Sequence, residues 1–339
     1  MEYVKLGNSG LDVSKICLGC MGFGDTSSGF NTWAVDKDES KKVILGAYAL
    51  GINFFDTANC YSYGTSEEYV GNAIKALPRE EIVIATKVFI PMRLEKGADP
   101  AVTFPPKATP NGGGLSRKEI VYEAEQSLKR LGLDYIDLYI IHRWDYNTPI
   151  EETMQALNDL VRSGKVRYIG ASAMYAWQFQ KAQYVAEKNG WTKFISMQNH
   201  YNLLYREEER EMIPLCVDQK VALTPYSPLA SGRLSRDWSV ASKRSKTDMA
   251  YKGKYLPYAD VDLPIAERVA ELAKKHGEPM SRIALSWLLS KPYVASPIIG
   301  GTKLEYVKDA VEALNVQLTA DEYAYLEELY VPHGIVGAL

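Results

Sequence analysis

Short runs of apolar residues, rich in Val, Ile, Phe and Tyr, recur along the chain and alternate with longer segments of helical periodicity. We predict strands at residues 15–18, 52–55, 82–86, 135–141, 166–170, 194–197, 221–224 and 295–299. Several of these runs are apolar almost without interruption, as strands covered on both faces should be. We predict helices at residues 36–50, 66–76, 116–131, 149–163, 177–189, 207–219, 264–276 and 281–290.

Capping residues mark the ends of several predicted helices. Ser66 and Ser116 stand where N-caps are expected, and Ser116 with Glu119 has the spacing of a capping box. Glycines follow four helices at the C′ position, where a positive φ is favoured; they are Gly132, Gly164, Gly190 and Gly277.

This alternation predicts a parallel sheet, and eight strands fit a closed (β/α)8 TIM barrel better than an open sheet. Since no composition break divides the chain, we expect residues 1–339 to form a single barrel domain. The connections at 88–115 and 226–262 follow the third and seventh strands and are unusually long. Loops of this length, at the face where barrels build active sites, are typically functional.

Composition narrows the function classes. Hydrophobic residues make up 46% and charged residues 24% of the 339, with a net charge of −3, so neither a nucleic-acid nor an anionic-membrane partner is expected. The N-terminus has no signal-peptide pattern, and no apolar run approaches the ~18 residues of a membrane helix. Four scattered cysteines, with a single CxxC pair at Cys17 and Cys20, favour reduced thiols, no metal site and a cytoplasmic protein.

Polar residues follow the second, third and fourth predicted strands. Asp56 and Tyr61 follow the second strand, Lys87 the third and His142 the fourth, so we expect them to converge at one mouth of the barrel. A phenol is a weak acid at neutral pH, but a nearby ammonium lowers its pKa, and a carboxylate holds that ammonium in place. Tyr61 could then protonate a carbonyl oxygen that His142 orients, while a nicotinamide supplies hydride.

Each of these residues also has an ordinary structural role. A lone Lys or Asp at a strand end is commonly a surface ion pair, a lone Tyr commonly packs, and a lone His is commonly a buried hydrogen-bonded ring. The combination of four complementary groups favours catalysis. A Schiff-base aldolase with Lys87 as nucleophile and Asp56 as proton shuttle is a weaker alternative, because it needs neither Tyr61 nor His142.

Longer motifs extend nearly from end to end of the chain. They are Leu6-Gly-Asn-Ser-Gly-Leu11, Leu18-Gly-Cys-Met21-Gly-Phe-Gly24, Phe54-Phe-Asp56-Thr-Ala58-Asn-Cys-Tyr61 with Gly64-Thr-Ser66-Glu67 and Gly71, Gly164-Lys-Val-Arg-Tyr-Ile-Gly170-Ala-Ser172, Gln198-Asn-His-Tyr-Asn202 and Pro225-Tyr-Ser-Pro228-Leu. Together they are highly specific, and the sequence resembles the aldo-keto reductases, including their N-terminal hairpin. Within that family, His142-Arg-Trp-Asp-Tyr-Asn147 and Tyr330-Val-Pro-His-Gly-Ile-Val-Gly337 resemble a bacterial branch that includes 1-deoxyxylulose-5-phosphate-forming reductases.

The resemblance implies an NADPH-dependent carbonyl reductase with a tetrad of Asp56, Tyr61, Lys87 and His142. It implies that Ser172 and Gln198 hold the nicotinamide carboxamide and that Tyr226 stacks on the ring. The other positions implied to contact the cofactor, along the pyrophosphate and the adenosine, are Gly22, Ser227, Leu229, Gly232, Leu234, Gly300, Thr302 and Lys303.

The sequence departs from the family pattern at a few of these positions. Ala173 replaces a frequent Asn beside the carboxamide, and Tyr306, Asp309 and Ala310 replace polar residues that hold the adenine. A basic Lys303 favours NADPH over NADH because it can meet the additional phosphate. No GxGxxG follows a strand and opens a helix, so a Rossmann site is not expected.

Three questions are left open by the sequence. The family also includes potassium-channel β subunits, so a cofactor-binding regulatory barrel is the alternative to an enzyme. Strand-end aromatic residues could wall a substrate pocket or simply anchor loops; they are Trp33, Phe89, Trp144 and Trp238. Arg143, Arg233 and Arg236 could meet a phosphate, although solvated arginine is the more ordinary interpretation.

Overall fold

A computed structural model describes residues 1–28, 32–94, 107–238 and 253–337. Its strands are β1 (Tyr3–Lys5), β2 (Asp12–Ser14), β3 (Cys17–Gly19), β4 (Phe54–Asp56), β5 (Val83–Val88), β6 (Ile136–Ile141), β7 (Val166–Ser172), β8 (Ser196–Gln198), β9 (Ala222–Leu223) and β10 (Ile298–Gly300). The α-helices are α1 (Lys37–Ala49), α2 (Thr65–Ile74), α3 (Arg117–Leu131), α4 (Ile150–Arg162), α5 (Ala176–Asn189), α6 (Met212–Asp218), α7 (Ala259–His276), α8 (Met280–Leu289), α9 (Leu304–Glu312) and α10 (Ala320–Glu327).

Eight parallel strands form one sheet in the order β10-β3-β4-β5-β6-β7-β8-β9. The two ends of this sheet are joined where Ala295 donates to the Leu223 carbonyl at 2.9 Å and Ile298 donates to the Pro225 carbonyl at 2.8 Å. The predicted (β/α)8 barrel is therefore confirmed. Parts of the two long predicted loops, residues 95–106 and 239–252, lie outside the described residues.

An antiparallel hairpin of β1 and β2 covers the N-terminal end of the barrel, as the resemblance implied. Leu6 and Val13 pack among residues inside the barrel, including Phe54 and Leu138. Gly7 has φ +61°, and a Cβ there would lie 2.2 Å from the carbonyl oxygen of Ile195. The hairpin backbone at Gly7 thus comes so close to the strand backbone that a side chain has no room there. The apolar side chains of the hairpin fill that end of the barrel.

Most strands end later than their apolar runs predict. Asp56, Lys87, Ser172 and Gln198 come after the predicted strand ends at 55, 86, 170 and 197. In the structure Asp56, Ser172 and Gln198 are the last residues of β4, β7 and β8, and Lys87 lies within β5. The reason is that the backbone ladder with neighbouring strands continues after the side chains become polar. The polar groups are consequently held by strands rather than by loops.

Three helix boundaries also differ from prediction. Ser66 is not an N-cap: α2 begins at Thr65 after Gly64, and the Ser66 hydroxyl donates to the Cys20 carbonyl at 2.8 Å. α6 begins only at Met212, after a separate 3-10 turn at Glu207–Glu209. α7 begins at Ala259, five residues before the predicted start, and contains Pro264.

The other caps agree better with prediction. Ser116 accepts the Glu119 amide at 3.3 Å, but the capping box does not close because the Glu119 carboxylate pairs with Arg93. The four predicted C′ glycines all have positive φ. Each of these glycines therefore ends its helix in the conformation expected of it.

All four cysteines are buried and none is in a disulfide. Among the described residues, no cluster of His, Cys, Asp and Glu has the arrangement of a metal site. No described helix has the length and apolar character needed to cross a bilayer.

Candidate active site

The four predicted catalytic side chains meet at the C-terminal mouth of the barrel. Asp56 ends β4, Lys87 lies near the end of β5, and His142 follows β6; these three strands are neighbours in the sheet. Tyr61 lies on the turn after β4. All four residues are buried.

The Lys87 ammonium lies at the centre of the group and uses all three of its hydrogens. It donates to Asp56 Oδ1 at 2.5 Å, to the Thr57 carbonyl at 2.8 Å and to the Tyr61 hydroxyl oxygen at 3.1 Å. Gln198 Nε2 donates to the other Asp56 oxygen at 2.9 Å. Because the Tyr61 oxygen accepts from Lys87, the phenol's own hydrogen is left to point toward the mouth.

The pKa of Tyr61 does not move in the expected direction. Burial raises the pKa of Tyr61 to about 12; Lys87 opposes this shift and Asp56 adds to it. Burial lowers the pKa of Lys87, but Asp56 and Tyr61 together raise it above its usual range. Around neutral pH the site therefore holds a protonated phenol beside a charged ammonium.

His142 is held as a neutral ring. Burial, followed by the charges of Arg143 and Lys87, lowers the pKa of His142 well below its usual value. Its ring stands edge-on to Tyr61 with centroids 5.9 Å apart, and Nδ1 lies 3.9 Å from the Cys60 sulfur. A neutral imidazole at this position can donate or accept one hydrogen bond without adding charge.

The turn that carries Tyr61 has an uncommon backbone. Ser62, Tyr63 and Gly64 have φ of 46°, 52° and 90°, three left-handed residues in succession. A Cβ on Gly64 would lie 2.7 Å from Arg130 Cδ, and Arg130 is itself bonded to buried Glu67 at 2.6 Å. The turn is therefore fixed from behind by a buried ion pair between α2 and α3.

Two residues predicted to hold a nicotinamide carboxamide lie at neighbouring strand ends. The Ser172 hydroxyl is buried and has no hydrogen-bond partner among the described residues. Gln198 ends β8. Its side-chain amide donates to Asp56, and its main-chain carbonyl accepts the Ala173 amide at 3.1 Å. A buried hydroxyl without a partner fits an amide-bearing ligand in this place.

Tyr226 belongs to a stack of three rings. His200 lies parallel to Tyr226 at 5.3 Å and to Tyr205 at 4.2 Å. The Lys254 ammonium is 4.6 Å from the centre of the Tyr226 ring. The stack fixes the plane of Tyr226, which is what a ring that supports a flat ligand requires.

The segment predicted to run along a pyrophosphate is tightly turned. Ser227, Ala230, Ser231 and Gly232 all have positive φ, a backbone type that forms anion-binding concavities. The Leu234 side chain is fully buried in the core and Leu229 packs against it, so Leu234 offers its backbone and not its side chain to a ligand.

The predicted adenosine end lies between β3 and the start of α9. A Cβ on Gly22 would lie 2.9 Å from Thr302, so these two predicted residues adjoin. Among the described residues, no carboxylate lies within 4 Å of the Lys303 ammonium at the N-cap of α9. Of the departures from the family pattern, Tyr306 is 51% exposed, Asp309 is bound to Arg282, and Ala310 is buried.

The four predicted wall residues have different surroundings. Phe89 packs against the apolar cluster that contains Tyr61, whereas Trp144 is buried in the main core with its ring 5.9 Å from that of Trp177. Trp33 adjoins Gly22, and Trp238 lies under the Arg233 guanidinium at 3.9 Å. Of the four, Phe89 is the one that packs against the cluster containing Tyr61.

Sequence reasoning missed Cys60 and His200. Cys60 contacts His142, and His200 orders Tyr226. Cys60 directly precedes Tyr61, which was the available signal. His200 lies inside a quoted motif, but its two stacking partners, Tyr205 and Tyr226, lie outside that motif.

Comparisons with known proteins identify the family and several relatives of this chain. The Aldo/keto reductase family model matches residues 15–331. The chain is 47% identical to versiconal hemiacetal acetate reductase of Aspergillus parasiticus, covering 99% of this chain and 98% of that protein. It is 47% identical to a provisionally named aryl-alcohol dehydrogenase of Schizosaccharomyces pombe, with the same coverage, and 43% identical to an aldo-keto reductase of Metarhizium robertsii, over 99% of this chain and 93% of that protein. These relatives are fungal, so the predicted resemblance to a bacterial branch is not supported.

Proposed function

This chain belongs to the aldo/keto reductase family of oxidoreductases, and from that premise we propose that it reduces an aldehyde or ketone to the alcohol with NADPH, with Tyr61 as the proton donor. The observation that carries the proposal is the ammonium of Lys87, bonded at once to Asp56 and to the Tyr61 oxygen. Bound NADPH would supply the hydride.

Tyr61 is arranged to give up a proton to an oxygen at the mouth. Its oxygen accepts from Lys87, so its hydrogen faces away from the ammonium. As negative charge develops on the substrate oxygen, Tyr61 protonates it, and the ammonium beside the phenol stabilises the phenolate that forms. Neutral His142, on the other side of Tyr61, orients the same oxygen.

The residues expected to hold the dinucleotide supply matching groups. The unpartnered Ser172 hydroxyl and the Gln198 amide suit a carboxamide, and the stacked Tyr226 suits a flat ring. The names of two relatives, a hemiacetal acetate reductase and an aryl-alcohol dehydrogenase, make aromatic aldehydes the first substrates to test.

The acid role predicts the effect of Tyr61→Phe. Removing the proton donor should lower kcat for an aromatic aldehyde about a hundredfold or more. NADPH affinity, measured by fluorescence titration, should stay within twofold. Tyr184→Phe, which removes the hydroxyl of an exposed tyrosine on α5, is the matched control and should retain full activity.

Two outcomes would contradict this proposal. Retention of more than about a tenth of the parent rate by Tyr61→Phe would remove the acid role. Tight NADPH binding without turnover of any aldehyde or ketone would instead favour a regulatory barrel.

The exposed cation at the start of α9 predicts a preference for NADPH. Lys303→Ala should raise KM for NADPH about tenfold and leave KM for NADH nearly unchanged, because only NADPH carries the additional phosphate. Lys308→Ala, an exposed lysine on the same helix, is the control. Equal kcat/KM for the two cofactors in the parent protein would refute the preference.

A further inference from the structure

Arg143 directly follows His142 at the mouth of the barrel and is only partly exposed. Its Nη1 donates to the carbonyl oxygen of His142 at 2.7 Å. This bond holds the guanidinium beside the main chain of His142, just after the end of β6. The remaining N–H groups of the fork are left for another acceptor.

The structure shows no acidic side chain paired with this guanidinium within residues 1–28, 32–94, 107–238 and 253–337. Among the described residues, no carboxylate lies within 4 Å of it, and the His142 carbonyl is its hydrogen-bond partner. Arg93 and Arg130, which lie behind the Tyr61 turn, are by contrast each paired with buried glutamates. Arg143 therefore places a positive charge at the mouth that no carboxylate of the described part of the chain pairs with.

The positive charge of Arg143 affects the pKa values of groups at the reactive centre. After burial, Arg143 is the next cause that lowers the pKa of His142. Burial raises the pKa of Cys60 to about 12, and Arg143, with Lys87, opposes that shift. Arg143 is thus near enough to His142 and Cys60 for its charge to act on both.

The Tyr61 side of the mouth is apolar, in contrast to the charged Arg143 side. Tyr61, Cys60 and Ile90 form an apolar cluster against which further apolar side chains pack, namely Met21, Phe89 and Met92. A ligand that satisfies both sides needs an apolar body for this cluster and an anion for the guanidinium.

We propose that this protein selects carbonyl substrates with a carboxylate or another anionic substituent on an apolar, preferably aromatic, body, and that Arg143 binds the anion. The inference rests on the proposed reductase function and specifies its substrate class. A guanidinium binds a carboxylate through charge-assisted, often bidentate hydrogen bonds, which are about twice as strong as neutral ones.

Arg143 could instead serve only to cap the free carbonyl of His142. The two roles predict different effects on charged and neutral substrates when Arg143 is replaced. A cap would affect all aldehydes equally when removed, whereas an anion-binding residue would affect charged substrates alone. Substrates matched in shape but not in charge therefore separate the two roles.

The test compares 3- and 4-formylbenzoate with their methyl esters, using wild-type protein, Arg143→Met and Arg143→Lys. We expect kcat/KM of the wild type for at least one acid to exceed that for its ester tenfold or more. Arg143→Met should remove this preference by raising KM for the acid, while its kcat/KM for the ester stays within threefold of wild type. Arg143→Lys should show a preference between those of wild type and Arg143→Met. Arg162→Met, which removes an equal charge from the exposed end of α4, should change neither.

Added salt provides a second measurement on the unaltered protein. Raising NaCl should raise KM for the acid and not for the ester, because screening weakens only the charged contact. Should Arg143→Met fail to fold, the wild-type preference and its salt dependence decide the matter. Equal kcat/KM for acid and ester, or equal losses for both in Arg143→Met, would overturn the inference while leaving reduction intact. Reduction of neither aldehyde would refute the proposed function, and this inference with it.

Discussion

Lys87 is an ammonium with no exposure to solvent, and its charge is compensated by a single carboxylate. Desolvation of such a pair costs several kcal/mol per ion, so the pair adds little net stability, whereas removing one partner leaves a buried charge alone. The buried pair of Asp56 and Lys87 thus does little for folding stability, and the proposed catalytic role gives a reason for its presence.

This pairing predicts that stability and activity can be separated. Lys87→Met should lower the free energy of unfolding by about 3–5 kcal/mol, because Asp56 then keeps only the Gln198 amide among the contacts described above. Asp56→Asn with Lys87→Met should recover most of that loss, since no buried charge remains. Neither variant should reduce aldehydes at more than about a hundredth of the parent rate.

Urea unfolding followed by circular dichroism measures the stability of each variant. A double variant as unstable as Lys87→Met would show that the ion pair itself contributes the stability. An active double variant would show that the ammonium is dispensable for Tyr61.

That the tetrad side chains meet could be predicted because each follows an apolar run, and neighbouring parallel strands bring their ends together. The direction in which the Tyr61 pKa shifts could not be predicted from the sequence. The sequence shows the ammonium that lowers this pKa, but not the burial that outweighs it. For the same reason, the absence of a carboxylate beside Arg143 among the described residues becomes visible only once the surrounding chain is folded.

Among the elements, the strands were easier to predict than their ends. The apolar runs indicated each strand, but polar Asp56 and Gln198 continue the ladder because backbone hydrogen bonds do not depend on side-chain polarity. Ser66 resembled an N-cap by residue type, yet it lies inside α2 because the left-handed Gly64 starts the helix one residue earlier. Local patterns therefore located the elements, and tertiary contacts set their limits.

The His333 imidazole connects the C-terminal segment, residues 331–337, to α7 through Asp262. His333 Nε2 lies 2.9 Å from Asp262 Oδ1, its Nδ1 lies 2.6 Å from the Val331 carbonyl, and its amide donates to Glu207 at 2.9 Å. The segment ends against the mouth, where a Cβ on Gly337 would lie 2.7 Å from the Tyr226 hydroxyl. With both ring nitrogens facing acceptors, the protonated form of His333 satisfies both contacts.

This contact predicts looser attachment of the segment at alkaline pH. Burial alone lowers the pKa of His333, but Asp262, the Val331 carbonyl and Glu207 raise it above its usual value. A raised pKa in the folded state means that the stabilisation is complete below about pH 6.5 and is lost as pH rises through the folded value.

Hydrogen exchange at the bonded amides of Gly334 and Val336 measures the attachment. Their protection factors should fall between pH 6 and pH 9, and His333→Gln should lower protection at pH 6 and flatten the dependence. His276→Gln, which removes a different imidazole–carboxylate contact, is the control and should leave these amides unchanged. Protection independent of pH in the parent protein would contradict the role of His333.

At the scale of the whole molecule, the barrel could be predicted from eight alternating strand and helix patterns, although the sequence pattern alone did not show how it closes. Closure depends on backbone hydrogen bonds from residues 295–298 to the carbonyls of Leu223 and Pro225, and the side-chain pattern does not reveal such bonds. The hairpin over the N-terminal end followed from the family resemblance, since its three-residue strands are too short for a periodicity argument.

The buried cysteines have a practical consequence for experiments on this protein. Burial raises the pKa of Cys17, Cys20, Cys60 and Cys216, and maleimide dyes react with accessible thiolates. A fifth thiol introduced as Val331→Cys, at a position 44% exposed, would be labelled selectively with all four native cysteines kept. A fluorophore there could report the position of the C-terminal segment during turnover.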